Sequence, residues 1–515
     1  MSRSATPAYP FWGMLSALAG LAALQALAYL HAGVFEYPLD DVYIHLAMAS
    51  NIAHGTYGVN AGEPASAASS ILYPLLLLPF PNTEFQRLLP LFWNVLAVGA
   101  AGWVWGRIVT EAGLAGFLGG AFAILAPICL NMSGTGFTGM EAAPHVLASL
   151  LTVLGLWRVL KGEGVAPWFV AAAILAPLLR YEGLALSLGS AAALALAGER
   201  RAAAVIALGA IAGVAAFGAF LVSIGLPPLP GSVLAKTGSL DPNGSPLMRY
   251  VIGFVVNVTR KPAGAVIGVL CLAALLAPLV PALRRRAPLS LLLVVAAAGL
   301  GHLLFGQIGW MHRYEPYILT ALVATLLLAT SGVAGRGAAI LRCAAAAAVL
   351  AAGAAYLPGM IGSYAWNPRA IHLQQAQMAR LAQDWLKVPV AVNDLGQVAW
   401  GNPDYVLDIW GLGSEEARRI RFGTEVPPPH WAAPLAEKHG VRAAMIYDKW
   451  FGTAVGTDWI RVASLQMRDP EGALGDWEVA IYATDPSYAP ELRSRLTAFA
   501  PTLPADAYLE MEPGA

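Results

Sequence analysis

From residue 13 to residue 357 the chain is a succession of apolar runs broken by short polar segments. In a bilayer every backbone N–H and C=O must be satisfied within the spanning element, and about 20 apolar residues of α-helix cross the hydrocarbon. Runs near 13–32, 86–106, 114–130, 142–160, 165–179, 183–197, 202–224, 263–283, 288–308, 316–332 and 338–357 approach that length. The sequence therefore predicts a mainly α, polytopic membrane helix bundle with about eleven transmembrane helices. Composition excludes a soluble globule: 57% of residues are hydrophobic and 12% charged, about half the charged fraction of soluble domains, and mean hydropathy is +0.61. The formal net charge is zero and no long basic run occurs, so nucleic acid is excluded as a partner. Cys129, Cys271 and Cys343 each lie inside an apolar run, which supports neither a disulfide framework nor a Cys metal site. The run over 11–32 is too long for a signal-peptide core and reads as a retained anchor.

Lys and Arg in short loops mark the cytoplasmic side. With Arg3 inside and the short segment 69–80 not spanning, that side receives Arg107, Arg158 with Lys161, Arg200 with Arg201, Arg284-Arg285-Arg286, and Arg336 with Arg342. Counting 69–80 as a span turns the arginine triplet outward, the worse assignment. The mixed polar segments then share the outer face: Asp40-Asp41, Ser133-Gly134-Thr135-Gly136-Phe137-Thr138-Gly139-Met140-Glu141, Arg180-Tyr181-Glu182-Gly183, the 225–262 loop, and Trp310-Met311-His312-Arg313-Tyr314-Glu315. After residue 357 charged residues and Trp become frequent and no further run is long enough to span. We divide the chain into a membrane domain, 1–357, with its first outer loop at 33–85, and a small extracytoplasmic α/β domain, 358–515. Strands are expected at 388–392, 405–409, 443–447 and 477–482, and helices at 371–386 and 434–439.

The polar residues each carry two readings. Asp40 and Asp41 precede a predicted amphipathic helix ending near His54-Gly55, where Asp40 is a natural N-cap and Asp41 a first-turn acid. Adjacent acids at a membrane surface are nonetheless costly unless solvated, paired or used. His45, four residues after Asp41, is placed to pair with it on a helix. Glu141 reads as a helix-start carboxylate or a site acid. Arg180 and Glu182 read as a local pair or as site residues. Lys236 stands in Pro230-Gly231-Ser232-Val233-Leu234-Ala235-Lys236-Thr237-Gly238, a loop too polar to bury without a reason. His312, Arg313 and Glu315 precede the tenth helix, where Arg313 can simply snorkel to the interface.

In this order the segments resemble the GT-C superfamily of integral-membrane glycosyltransferases. The pieces that carry the resemblance are Asp40-Asp41-Val42-Tyr43-Ile44-His45, the 55–70 segment ending Ala68-Ser69-Ser70 with Ile71-Leu72-Tyr73-Pro74 after it, and Thr138-Gly139-Met140-Glu141. Further along come Leu179-Arg180-Tyr181-Glu182-Gly183, Ala235-Lys236-Thr237-Gly238, Arg313-Tyr314, Asn393-Asp394-Leu395-Gly396 and Val406-Leu407-Asp408-Ile409-Trp410-Gly411-Leu412. The match is closest to the bacterial polyprenyl-phosphate-sugar transferases that include the cell-wall arabinofuranosyltransferases. Protein O-mannosyltransferases and lipid A aminoarabinose transferases are more distant. Related sequences often carry Arg-Pro-Glu-Gly at 180–183, and Asn-Thr before the Lys236 segment; the second departure, in an expected substrate loop, bears on the sugar and the acceptor more than on the reaction.

The resemblance implies transfer of a sugar, with inversion, from a polyprenyl-phosphate carrier to a glycan, lipid or protein acceptor on the extracytoplasmic face of a bacterial inner membrane. It implies Asp40 or Asp41 as general base, and Lys236, Arg180, His312 and Arg313 on the donor phosphate, with Glu141, Glu182 and His45 binding substrate or orienting cations. A divalent metal, Mg or Mn, shared by Asp40, Asp41 and Glu141 is chemically allowed, since hard cations take oxygen ligands, although no spacing demonstrates it. The competing class is a carrier or flippase for lipid-linked sugar, which keeps ionisable groups at mid-membrane depth; here the acids and bases gather at one surface.

Overall fold

The computed structural model describes residues 8–238, 246–423 and 426–513; Arg3 and the side chain of Lys236 lie outside what it describes. The chain is mainly helical with one small sheet near its C-terminus. It forms two compact units, one from Met1–Ala26, Leu91–Ala216 and Gly244–Ile361, the other from Leu27–Pro90, Phe217–Asn243 and Gly362–Ala515.

Among the described residues, eight helical stretches are long and apolar enough to cross a membrane: Tyr9–Ala32, Glu84–Glu111, Gly116–Phe137, Ala142–Leu160, Arg200–Ser223, Pro262–Leu279, Arg286–Phe305 and Arg336–Leu386. The last opens with the helix Arg336–Gly362. By length and composition this is a multi-pass membrane protein. Three further helices stand where spans were expected but are shorter: Pro167–Leu179, Gly183–Ala197 and Pro316–Ala329, of 13, 15 and 14 residues. At about 1.5 Å per residue each falls short of a hydrocarbon core about 30 Å thick. The expected count of about eleven thus exceeds the eight by these three. Pro316–Ala329 is buried at every position, as a helix apolar all round must be. The 69–80 segment holds only a four-residue helix, Tyr73–Leu76, and does not cross.

In the first unit, small residues set how closely the helices approach. A Cβ built on Gly102 would lie 2.4 Å from the Gly13 carbonyl oxygen, and one on Gly13 would lie 2.3 Å from that of Gly102. Tyr9–Ala32 and Glu84–Glu111 therefore meet backbone to backbone, the close packing that glycine permits between helices in lipid. Gly116–Phe137 is not continuous: it breaks into Gly116–Cys129 and Met132–Phe137, with Asn131 left-handed at the break.

The second unit is built on six strands, β1 Val390–Val392, β2 Val406–Asp408, β3 Ala443–Ile446, β4 Ile460–Met467, β5 Val479–Ala483 and β6 Ala507–Met511, in the order β2-β1-β3-β5-β4-β6. β1 pairs parallel with β2 and β3, and the remaining pairs are antiparallel. Side chains alternate between faces with the period of two that a strand imposes. Val390, Val392, Met445 and Ile481 pack against Leu381, Leu386, Leu492 and Phe499 on one face. Ala391, Ala444, Ile446 and Ala480 pack against Trp431, Leu435 and Phe451 on the other. The first face also takes Ile44, Ala47 and Met48 from the helix Asp41–Ala53. β1, β2, β3 and β5 fall at the four expected strands. β4 and β6 were not anticipated, because Arg461, Ser464 and Gln466 in the one and the short Ala-Tyr-Leu-Glu-Met of the other leave little apolar signal.

Gly102→Leu should force the two helices apart at a backbone contact and destabilise the protein by about 1–3 kcal/mol. It should read as a lower melting temperature in detergent, while Gly120→Ala, with nothing within 4 Å of its Cβ position, leaves it unchanged. Equal melting of the two variants would refute the close contact.

Candidate functional site

Asp40 precedes the helix Asp41–Ala53 but does not cap it; its side chain makes no hydrogen bond to that helix. The Asp40 carboxylate instead accepts the backbone N–H of Gly396 at 2.6 Å and of Gln397 at 2.9 Å, so it caps the short helix Gly396–Ala399. Glycine is required there, since a Cβ on residue 396 would stand 2.1 Å from the Asp40 carbonyl oxygen. Asp394 lies on the approach to the same turn and accepts the Gln375 amide at 2.9 Å and the Tyr447 hydroxyl at 2.6 Å. Burial pushes the Asp40 carboxyl well above the usual carboxylate range, and the charges of Asp394 and Asp41 push the same way against the two N–H bonds. Asp394 is raised for the same first reason, with Asp41 adding to it and Tyr447 and Gln375 opposing. Asp41 is half-buried while Asp40 is buried.

Two neighbouring carboxylates also find donors. Buried Glu36 accepts the Tyr43 hydroxyl, the Tyr37 N–H at 3.0 Å and the Gln397 amide at 3.0 Å, with Arg87 3.8 Å away. Asp408 accepts N–H groups of Trp410, Gly411, Leu412 and Gly413 at 2.8, 3.2, 2.6 and 2.7 Å; burial still pushes its carboxyl up to about 6. It shapes the loop after β2. His45 Nε2 is 3.2 Å from Ser69 Oγ. Lys236 falls in the helix Gly231–Gly238.

In the first unit, Arg180 is divided between two acids, Nη1 to Glu141 at 2.7 Å and Nη2 to Glu182 at 2.9 Å. The Arg180 and Glu141 side chains are 4% and 0% exposed and that of Glu182 is 25% exposed, so a buried ion pair carries a half-buried second acid: the local Arg180–Glu182 pair exists, and Glu141 joins it. Arg180 also lies 5.0 Å from the Tyr314 ring centre, and Arg313 lies 5.1 Å from it with Nη2 donating to the Tyr314 hydroxyl at 3.0 Å. Ahead of Arg313, residues Gly309, Trp310, Met311 and His312 run left-handed, at φ of 104°, 44°, 61° and 49°. Each non-glycine residue in that conformation costs about 1–2 kcal/mol. Asn131 Nδ2 bonds the His312 carbonyl at 2.9 Å, buried Glu315 accepts the Gly309 N–H at 3.2 Å, and His312 Nδ1 is 3.9 Å from Glu315 Oε1.

The nine candidates thus fall into two sets. Asp40, Asp41, His45 and Lys236 belong to one unit, and Glu141, Arg180, Glu182, His312 and Arg313 to the other. Among the described residues, no three or more His, Cys, Asp or Glu side chains are grouped to hold a metal ion.

Residues 367–482 match the family model described as Domain of unknown function (DUF8728). No curated protein matches the chain. The matched segment contains Gln375, Asp394, Gly396, Asp408 and Tyr447, so the partners of Asp40 belong to it.

Sequence reasoning missed Asp394, Tyr447, Glu36 and Gln397 as members of the acid group. The Asn393-Asp394-Leu395-Gly396 motif was the one available signal, and nothing in it names a partner hundreds of residues away. It also missed His145, Tyr317 and His302: the His145 ring stands 4.2 Å from that of Tyr317, whose hydroxyl is 3.2 Å from His302 Nδ1. His145 sits one helical turn after Glu141, a spacing that was legible.

The acid group makes stability depend on pH. Between the ordinary carboxylate range, about 4, and the raised values of Asp40 and Asp394, the folded state holds protons that the unfolded chain has lost. Stability then falls as pH rises through that window. Asp394→Asn removes one of the two charges pressing on Asp40, so its melting temperature should decline less steeply from pH 4 to pH 8 than that of the wild type. Parallel profiles would show that the two carboxyls do not interact.

Proposed function

We propose that the chain is an inverting glycosyltransferase of the GT-C type, moving a sugar from a polyprenyl-phosphate carrier to an acceptor hydroxyl on the extracytoplasmic face of a bacterial inner membrane. The observation that carries the reading is the Asp40, Asp41 and Asp394 group, in which Asp40 is buried and Asp41 and Asp394 are half-buried, with the charges of Asp394 and Asp41 both acting on Asp40. Both Asp40 oxygens accept backbone N–H groups. Asp40 is therefore a structural anchor, and Asp41 is our choice as base.

In the proposed reaction the acceptor oxygen attacks the anomeric carbon as its proton passes to the Asp41 carboxylate. The anomeric C–O bond to phosphate breaks, and the polyprenyl phosphate leaves with the bonding pair and the extra negative charge. Positioned cations stabilise that charge best where water is scarce. The resemblance gives this role to cations among Arg180, Lys236, His312 and Arg313, of which Arg180 is already shared by Glu141 and Glu182. No step is routed through a metal. The ionisable residues of the first unit support an enzyme over a carrier: Glu141, Arg180, Glu182, Arg313 and Glu315 stand at helix boundaries. A bundle of about eleven spans, with the C-terminal sheet on the outer face, fits the positive-inside assignment and makes the three shorter helices spans sheltered by their neighbours.

Asp41→Asn should lower kcat for transfer from lipid carrier by at least about 100-fold, with the melting temperature not lowered, in purified protein supplied with polyprenyl-phosphate sugars and envelope acceptors. Asp40→Asn should instead lower the melting temperature, because its amide sets an N–H donor against the N–H of Gly396 or Gln397. Full transfer by Asp41→Asn would sink the assignment of the base.

A further inference from the structure

Beyond Tyr447 the second unit carries an exposed aromatic that the acid group does not use. Trp450 is 43% exposed, yet it is held in place. Tyr447 meets it edge to face, with ring centres 5.3 Å apart at 87°, and Trp410 lies 5.4 Å away at 49°. Gly475 abuts it so closely that a Cβ there would stand 2.5 Å from Cη2. Trp410 is fixed in its turn by Arg421, whose guanidinium carbon is 3.6 Å from the ring centre and whose Nη1 donates to the Trp410 carbonyl at 3.0 Å. Rigid aromatics left open to solvent give up little entropy when a ligand arrives, which suits them to binding.

The surroundings select the ligand. Asp448 and Lys449 precede Trp450 directly, and exposed Lys449 pairs at 2.7 Å with Asp476, itself 4% exposed. Asp448 is held by Arg461 and by the Tyr482 hydroxyl, each at 2.9 Å. Carrying two carboxylates and their cations into lipid alongside the indole is costly, so the ring is poorly placed as a membrane anchor. One indole with a charged rim is also far below the roughly 800 Å² per side of a stable protein interface. A sugar ring fits both requirements. It presents polarised C–H bonds to the electron-rich face of an aromatic, and hydroxyls at its edge to carboxylate and ammonium groups.

We propose that Trp450, with Trp410 beside it and the Lys449–Asp476 pair at its rim, is a carbohydrate-binding subsite for the acceptor glycan, joined through Tyr447 to Asp394. As an acceptor subsite it rests on the transferase reading. As a glycan-binding site it is tested without that reading.

The test uses the full chain in nanodiscs and a panel of soluble arabinose-, galactose-, mannose- and glucose-based hexasaccharides, with saturation-transfer NMR as the readout and no donor present. Transfer to the ring C–H protons of at least one panel member is expected. It should weaken about tenfold in affinity in Trp450→Ala, partly recover in Trp450→Phe, and persist in Asp41→Asn. No binding by any panel member, or equal binding by Trp450→Ala, overturns the proposal. So does quenching of the Trp450 emission, taken as wild type minus Trp450→Phe, by brominated lipid chains, which would place the ring in the bilayer. Trp450-dependent binding by a protein that transfers no sugar would end the transferase reading and leave the binding site standing. Where transfer is measured, Trp450→Ala should raise the acceptor KM about tenfold with kcat little changed, and an unchanged KM overturns the acceptor assignment.

Discussion

A carboxylate buried next to another carboxylate persists only where donors surround it, and in this chain the donors are backbone N–H groups 356 residues away. Two hydrogen bonds from Gly396 and Gln397 to Asp40 tie the segment after the first helix into the sheet-containing unit. The same kind of contact recurs along that segment. Asn60 bonds both backbone groups of Val406, at 2.9 Å each, and so occupies the outer edge of β2 that an unpaired strand would leave open. Gln86 takes the Ser50 hydroxyl and the Trp400 indole N–H on one oxygen, at 2.9 Å each, and Asn367 Nδ2 donates to the Pro38 carbonyl at 3.1 Å. Apolar packing alone would let a loop slide over a sheet. Fixed polar pairs, each costly to leave unmade once buried, give it one register.

That explains what could and could not be read from the residues in order. The apolar runs were legible because lipid imposes one periodicity and one length, and a helix stands at every expected position. The three short helices show the limit of that signal, because run length measures hydrophobicity and Pro316–Ala329 is apolar and buried at every position while falling short of a full span in length. Strands β1, β2, β3 and β5 were visible as continuous apolar stretches; β4 and β6 were hidden by the polar residues that line one side of each. Asp40 was conspicuous as one of two adjacent acids, but local reasoning assigned it to the helix it precedes. The competing partner, a helix start carrying a glycine at 396, lies too far along the chain for any spacing rule to join them.

The two arginines show the same limit from the opposite direction. Arg180 and Arg313 looked equivalent as cations near helix ends, yet their surroundings differ in kind. Arg180 has two carboxylates in direct contact, and a buried pair of this sort is worth more for what its disruption would cost than for what its presence adds. An anion arriving at Arg180 has to compete with Glu141 and Glu182, both already in place. Arg313 is bonded to a neutral phenol, in a turn whose left-handed backbone is pinned by the Asn131 amide and the Glu315 carboxylate. Strain of that kind persists only where the surroundings over-determine it, and it collects where a side chain must be presented in one orientation. Arg180 is thus a cation already engaged by two acids in its own ion group, and Arg313 a cation presented from a strained turn whose backbone is pinned on both sides.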